Sequence, residues 1–187
     1  MDAKSSFCDA VYSGTVRKIY ELQTPEEKWT PIDARSNNNS PLIFACGDGD
    51  LELAQWLTET FGLGPEDARA EDNCALRMAC EGGYLDVVQW LTETFGLGPE
   101  DARSKCNYAL NYACGGGWLD VAQWLVEKFG LTAEDVSIGE DWGYSLTHID
   151  GFPGVAEWLE TKLGIVAKIR PEDDPMFGWA DCRTLPA

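Results

Sequence analysis

The sequence predicts an all-α protein built from repeated pairs of helices, and three observations predict this fold class. The stretch QWLTETFGLGPEDAR occurs twice, at residues 55–69 and 89–103. Each repeat contains two helix-compatible segments separated by a glycine-bearing turn. Members of a tryptophan column follow one another at intervals of 34 residues, at Trp56, Trp90, Trp124 and Trp158. A fixed period of this size is typical of solenoids, in which stacked units share one continuous core.

The first segment, residues 1–32, is predicted to be a degenerate N-terminal capping repeat. Val16, Ile19 and Leu22 form an apolar stripe with helical spacing. Residues 24–27 (TPEE) combine an N-cap residue, a proline and a glutamate in the order that begins a helical turn. Terminal repeats of a solenoid need a polar outer face, so a divergent first copy is expected.

Three regular repeats follow, at residues 33–66, 67–100 and 101–134. Their first helices are predicted in PLIFAC, ALRMAC and ALNYAC, and their second helices in LELAQWLTETF, LDVVQWLTETF and LDVAQWLVEKF. The second helices are followed by a residue that tolerates positive φ, namely Gly62, Gly96 and Gly130. In the first two regular repeats, the GPED tetrapeptide that comes next places a proline and two acids where a short further helix can begin.

A fourth, degenerate repeat is predicted at residues 135–164, and a C-terminal tail at 165–187. The fourth repeat contains His148, the one histidine of the chain, which we interpret as a structural or surface residue. The tail carries Met176, Phe177 and Trp179. These side chains are expected to cover the last repeat as a cap, and an exposed interaction motif is the alternative. All six segments together are expected to form one solenoid domain.

The regular repeats resemble ankyrin repeats, whose pattern is T-P-L-H-x-A-(A/C)-x-x-G-h-L-(E/D)-V-V-x-x-L. The first regular repeat matches it with SPLIFAC at 40–46, and the second with LDVV at 85–88. The resemblance implies an α-solenoid of stacked helix-turn-helix repeats. Ile43, Arg77 and Asn111 replace the histidine of the pattern, so its turn-bracing hydrogen bonds must be made in another way. Each repeat is also longer than the usual length of about 33 residues. The extra residue lies near the end of the second helix, before FGLGPEDAR. Because this connection is predicted to begin a short helix, little or no β-hairpin is expected there.

Charge and hydropathy bound the compartment and the partners. The formal net charge is −18 and the sequence pI is about 4.2, a balance that repels nucleic-acid phosphates and anionic lipids and attracts basic proteins. The chain has no apolar run long enough to span a membrane and no secretory h-region at its start. We therefore expect a cytoplasmic or nuclear monomer that binds neither nucleic acid nor membranes and favours a basic or mixed-charge protein partner.

Motifs that carry chemistry are scarce. The seven cysteines form no CxxC pair, and Cys46, Cys80 and Cys114 occupy equivalent repeat positions, where a small apolar residue suits a packed helix seam. A single histidine leaves few partners for a catalytic serine or cysteine, and neither a P-loop nor a dinucleotide fingerprint is present. We predict no enzymatic activity, no cofactor and no metal. A thiol-based metal or redox sensor is a weaker alternative.

The predicted function is recognition of another protein through the concave face of the solenoid, as an adaptor or an inhibitor. In ankyrin-like proteins the connecting loops and first helices line that face, so positions there that vary between repeats are candidates for contact. A structural or self-assembly role, through the repeats or the aromatic tail, is the alternative. The candidate protein-binding residues are Asn37, Asn38, Ile43, Glu71, Asp72, Arg77, Glu81, Tyr84, Lys105, Tyr108, Asn111, Tyr112 and Trp118.

Overall fold

The computed structural model of the protein describes residues 3–17, 20, 28–136 and 152–165. Four sequence predictions lie wholly or partly outside these residues: the apolar stripe that includes Ile19 and Leu22, the helical turn at 24–27, the role of His148, and the packing of the aromatic side chains of the tail. The chain divides into two compact units, Met1–Leu97 and Gly98–Ala187. The described residues of both units form helices, turns and short connections.

Two regular helix pairs dominate the first unit. Within it the first helices of successive pairs, α3 and α6, pack against each other, and each also packs against the second helix of its own pair. Short helices, α2 and α5, precede the pairs. The described helices of this unit are α1 (Ala3–Tyr12), α2 (Pro31–Ala34), α3 (Ser36–Gly47), α4 (Leu51–Phe61), α5 (Pro65–Ala68), α6 (Ala70–Gly82) and α7 (Leu85–Phe95).

The second unit repeats the same local arrangement. Its described helices are α8 (Pro99–Ala102), α9 (Ser104–Gly115), α10 (Leu119–Phe129), a 3-10 helix (Ala133–Asp135) and α11 (Pro153–Leu163). Helix α9 packs against both α8 and α10. The predicted fold class is confirmed, because the repeats are all-α and the described residues contain no strand. The repeat boundaries stay a prediction.

Apolar residues at helical spacing bury one side of each second helix. Leu57, Leu91 and Leu125 occupy equivalent positions in α4, α7 and α10, and all three are completely buried. Full burial of a leucine side chain stabilises the fold by about 1.5–3 kcal/mol. The buried neighbours at the other matching positions are Leu53, Ala54 and Phe61 in α4, Val87, Val88 and Phe95 in α7, and Val121, Ala122 and Phe129 in α10.

The ends of the second helices confirm the sequence reading. Gly62, Gly96 and Gly130 are left-handed C-caps with φ of 61°, 62° and 62°. The predicted short helices α5 and α8 then begin at their prolines. In α5 the carboxylate of Asp67 accepts a hydrogen bond from the Gly64 N–H at 2.8 Å, which satisfies one of the free donors at the helix start. These short helices stand where the family pattern leads one to expect a β-hairpin.

An arginine–aspartate pair links successive repeats inside each unit. In the first unit, Arg35 donates from Nε and Nη2 to the two carboxylate oxygens of Asp67, at 2.8 Å each. In the second unit, Arg103 donates in the same way to Asp135, at 2.6 and 3.1 Å. The hydrogen bonds from Arg103 hold the pKa of Asp135 below its ordinary value. We name these two-pronged contacts the clamps, since each ties a short helix to the repeat before it.

Candidate functional site

The first helix of each regular repeat opens with three residues in left-handed conformation, and we name each such segment a left-handed turn. The turns lie at residues 37–39 and 71–73 in the first unit and at 105–107 in the second, with φ between 50° and 62° throughout. This conformation costs most L-residues roughly 1–2 kcal/mol each, and asparagine is among the residues that tolerate it best. The third position is asparagine in every turn, namely Asn39, Asn73 and Asn107.

In each left-handed turn the third residue is buried or half-buried, and the first two residues are exposed. The N–H of Asn39 donates to the Arg35 carbonyl at 3.4 Å, and the N–H of Asn73 donates to the Arg69 carbonyl at 3.2 Å. Both asparagine side chains are buried, and Asn107 in the second unit is half-buried. The two residues before each of them are exposed. The turn is therefore a fixed piece of backbone that presents two side chains to solvent.

In two of the three repeats, the residue at the histidine position of the family pattern donates hydrogen bonds to the left-handed turn. Arg77 donates from Nε to the Asp72 carbonyl and from Nη2 to the Glu71 carbonyl, both at 3.0 Å. Asn111 donates from Nδ2 to the Cys106 carbonyl at 3.0 Å. The turn-bracing bonds are thus made by other donors here. Ile43 stands at the equivalent position of α3, and its side chain has no hydrogen-bond donor.

In the first unit, hydrogen bonds and ring contacts connect neighbouring repeats across this surface. The Asn38 amide donates from Nδ2 to the Glu71 carboxylate of the next repeat. Tyr12 of α1 hydrogen-bonds with Ser40, and its ring meets the Phe44 ring edge-on at a centroid distance of 4.5 Å. The unit 1 face is the surface made by Asn37, Asn38, Ile43, Glu71, Asp72 and Arg77.

Tyr84 follows the C-terminal end of α6 and packs tightly on glycines. A Cβ atom added to Gly49 would lie 2.5 Å from Tyr84 Cδ1, and one added to Gly82 would lie 2.2 Å from Cε2 on the other edge of the ring. Gly49 also has φ of +74°, which favours glycine by itself. Tyr84 is half-buried, so this predicted contact residue also has a packing role.

The corresponding surface of the second unit is aromatic. The rings of Tyr108 and Tyr112 are stacked, with centroids 3.7 Å apart and planes inclined by 7°. Trp118 and Phe152 each keep 39% of their surface exposed. The Phe152 ring lies against Gly117, where an added Cβ would be 2.3 Å from Cδ1. The unit 2 face is the surface made by Lys105, Cys106, Tyr108, Tyr112 and Trp118.

The predicted contact residues differ widely in exposure. Asn111 is buried and therefore has the weakest claim to a contact role. Half-buried are Ile43, Arg77, Tyr84, Tyr108 and Tyr112, and exposed are Asn37, Asn38, Glu71, Asp72, Glu81, Lys105 and Trp118. Sequence reasoning missed Tyr12 and Phe152, which are both exposed aromatic residues. The signal for Phe152 was its place 34 residues after Trp118, in the same column as Tyr84.

The cysteine column packs in the core. Cys46 and Cys80 are completely buried, and burial raises the pKa of both thiols above the ordinary range. Burial also raises the pKa of Cys114, to about 12. Thiols that stay protonated at neutral pH are poor nucleophiles and poor metal ligands. Among the described residues no three His, Cys, Asp or Glu side chains converge as a metal-binding group. None of the described helices is both long and apolar enough to cross a membrane.

Comparison with known proteins identifies the repeats. A family model for ankyrin repeats, in three copies, matches residues 7–101, which is just over half of the chain and includes both helix pairs of the first unit. No curated protein and no solved structure matches. Ankyrin repeats are in general protein–protein interaction modules and are typically non-enzymatic. Because the match covers more than half of the chain and the structure has the glycine-capped helix pairs, the chain belongs to the ankyrin repeat family.

Proposed function

We propose that this protein is a non-enzymatic adaptor or inhibitor that recognises a protein partner through the unit 1 face, the unit 2 face or both. These faces consist of the left-handed turns and first helices that the family pattern assigns to the concave side of the repeats, together with Trp118, which immediately precedes α10. The observation that carries the proposal is a backbone conformation that is the same in all three repeats, with exposed side chains that differ from repeat to repeat. The three left-handed turns share φ values between 50° and 62°, while their exposed pairs read Asn-Asn, Glu-Asp and Lys-Cys.

Charge favours a basic or mixed-charge partner. The net charge of −18 attracts cationic proteins and raises their encounter rate. On the unit 1 face, Glu71 and Asp72 are exposed next to each other at the tip of one turn. The same charge opposes binding to nucleic acid and to anionic membranes. We propose that the protein acts as a monomer in the cytoplasm or the nucleus.

A capture experiment with matched variants tests the proposal. Glu71→Ala/Asp72→Ala removes two exposed carboxylates from the unit 1 face, and Glu59→Ala/Glu93→Ala removes two exposed carboxylates from the second helices of the same unit. Each variant has the same net charge, so non-specific attraction falls equally in both. We expect a partner from matched cell lysate to be retained by the second variant and lost by the first. Equal retention by both would overturn the assignment to this face, and Lys105→Ala/Trp118→Ala then tests the unit 2 face.

Self-assembly is the rival proposal, and the exposed rings of Trp118 and Phe152 favour it. Large exposed aromatic side chains are enriched where proteins associate. Sedimentation equilibrium separates the two proposals. A monomer across the micromolar range supports the adaptor, and a self-association constant in that range that weakens in Trp118→Ala supports assembly.

A further inference from the structure

We propose that the left-handed turn at residues 37–39 is a receptor for an arginine side chain of the protein partner. This inference rests on the proposed function and adds the chemistry of one contact to it. The observation behind it is a contrast between repeats. The backbone carbonyls of the turn at 71–73 bind the guanidinium of Arg77, whereas Ile43 at the equivalent position of the first regular repeat carries no donor.

The turn at 71–73 shows which group such carbonyls accept. Two nitrogens of one planar guanidinium, Nε and Nη2 of Arg77, each lie 3.0 Å from one of two successive carbonyl oxygens. A guanidinium holds its donors in a rigid fork that suits this pair of acceptors, whereas the ammonium of lysine is a single point of charge. The geometry therefore selects arginine over lysine.

The turn at 37–39 has the same backbone shape. Its φ values are 50°, 58° and 62°, against 53°, 54° and 60° at 71–73. The carbonyls equivalent to those of Glu71 and Asp72 belong to Asn37 and Asn38, which are both exposed. A carbonyl oxygen has two lone pairs and accepts a second hydrogen bond even when one is already made. A partner can thus place a guanidinium where Arg77 places its own.

The charge around the turn also favours a cation. The Asn38 amide donates to the Glu71 carboxylate, so a negative charge is held beside the turn at 37–39. An arginine bound to the Asn37 and Asn38 carbonyls gains attraction from this carboxylate in addition to its hydrogen bonds. The turn of the first regular repeat is therefore the place where a held carboxylate and an acceptor pair shaped for a guanidinium coincide.

Titration of the isotope-labelled full chain with N-acetyl-arginine amide, followed through amide chemical shifts, tests the proposal. We expect saturable shifts centred on residues 37–39, and affinity for N-acetyl-lysine amide that is lower by about tenfold. Ile43→Arg supplies an internal guanidinium, as Arg77 does, and should weaken arginine binding at this turn by at least about tenfold. Ile43→Asn copies Asn111, occupies the Asn38 carbonyl without adding charge, and should also weaken binding. Thr94→Arg adds the same guanidinium at an exposed position of α7, outside the unit 1 face, and is the matched control that should leave binding unchanged.

Two results would overturn the inference. One is a set of shifts spread over exposed carboxylates and equal for the arginine and lysine compounds. The other is arginine binding at residues 37–39 that Ile43→Arg and Ile43→Asn leave at the strength found for Thr94→Arg. If partner capture still depends on Glu71 and Asp72 while arginine fails to bind the turn, the face remains and only its proposed arginine contact is removed. Loss of that dependence removes the proposed face itself.

Discussion

At the scale of single residues, the three left-handed turns bear their conformational strain in two ways. The turn at 37–39 consists of three asparagines and lacks a donor at Ile43. The other two turns contain residues that tolerate positive φ less well, such as Glu71 and Lys105, and both accept a side-chain hydrogen bond from the helix that follows. Residue choice inside the turn and a donor after it are therefore two solutions to one steric problem.

Arg77→Met should destabilise the fold by about 1–2 kcal/mol, because it removes two intramolecular hydrogen bonds with a usual net value of about 1 kcal/mol each. The substitution keeps most of the apolar stem and removes both donors to the turn at 71–73. Lys162→Met removes a positive charge from an exposed position in α11 and should change the free energy of unfolding by less than about 0.5 kcal/mol. Urea denaturation of both variants measures the difference. Equal effects would show that Arg77 contributes only its charge.

Gly49→Ala should destabilise the fold by about 2–4 kcal/mol, since it combines left-handed strain with a clash against the Tyr84 ring. Movement of the ring away from Gly49 is restricted, because Gly82 lies close to its other edge. Gly62→Ala is the control: its φ of +61° carries similar strain, but an added Cβ meets nothing within 4 Å, so about 1 kcal/mol is expected. Denaturation midpoints compare the two. A Gly49→Ala cost no larger than the Gly62→Ala cost would contradict the proposed close packing.

At the scale of helices and their connections, most of the structure could be predicted from the sequence. The spacing of apolar residues predicted the second helices, the glycines predicted where these helices end, and the GPED tetrapeptide predicted α5 and α8. The left-handed turns were missed, because hydrophobic periodicity carries no information about backbone handedness. A signal existed in the asparagine column, whose members Asn39, Asn73 and Asn107 are 34 residues apart. The clamps were missed because Arg35 and Asp67 meet only after neighbouring repeats have packed.

The first clamp should contribute measurably to the stability of the first unit. Asp67 is buried and accepts hydrogen bonds from both Arg35 and the Gly64 N–H. Asp67→Asn removes the charge and one pair of acceptor sites, and we expect a loss of about 2 kcal/mol. Glu66→Gln makes the same chemical change at the exposed neighbouring residue and should cost less than about 0.5 kcal/mol. Thermal and urea denaturation measure the free energy of unfolding of both variants. Similar losses of stability in the two would show that the first clamp does not stabilise the fold.

The second clamp predicts a specific dependence of stability on pH. The pKa of Asp135 is lowered in the folded protein, and the hydrogen bonds from Arg103 are the largest cause. A carboxyl whose folded pKa lies below its unfolded value, about 3.9 for Asp, stabilises the fold fully above that value and loses the contribution as pH falls through the folded pKa. The stability difference between the natural protein and Asp135→Asn should be constant above about pH 5 and shrink below about pH 4. A difference that does not change across this range would contradict the pairing.

At the scale of the whole molecule, the charge of −18 acts in opposite directions on folding and on association. Like charges repel within the compact chain, and salt screens that repulsion, so stability should rise between about 50 and 300 mM NaCl. Glu59→Gln/Glu93→Gln removes two exposed charges and should reduce this rise. The rate of association with a basic partner should fall over the same range, because screening weakens long-range attraction. Denaturation midpoints and stopped-flow association rates measure the two effects on one set of samples. A stability that falls with salt would mean that the clamps outweigh the repulsion, since screening would then weaken more attraction than it relieves.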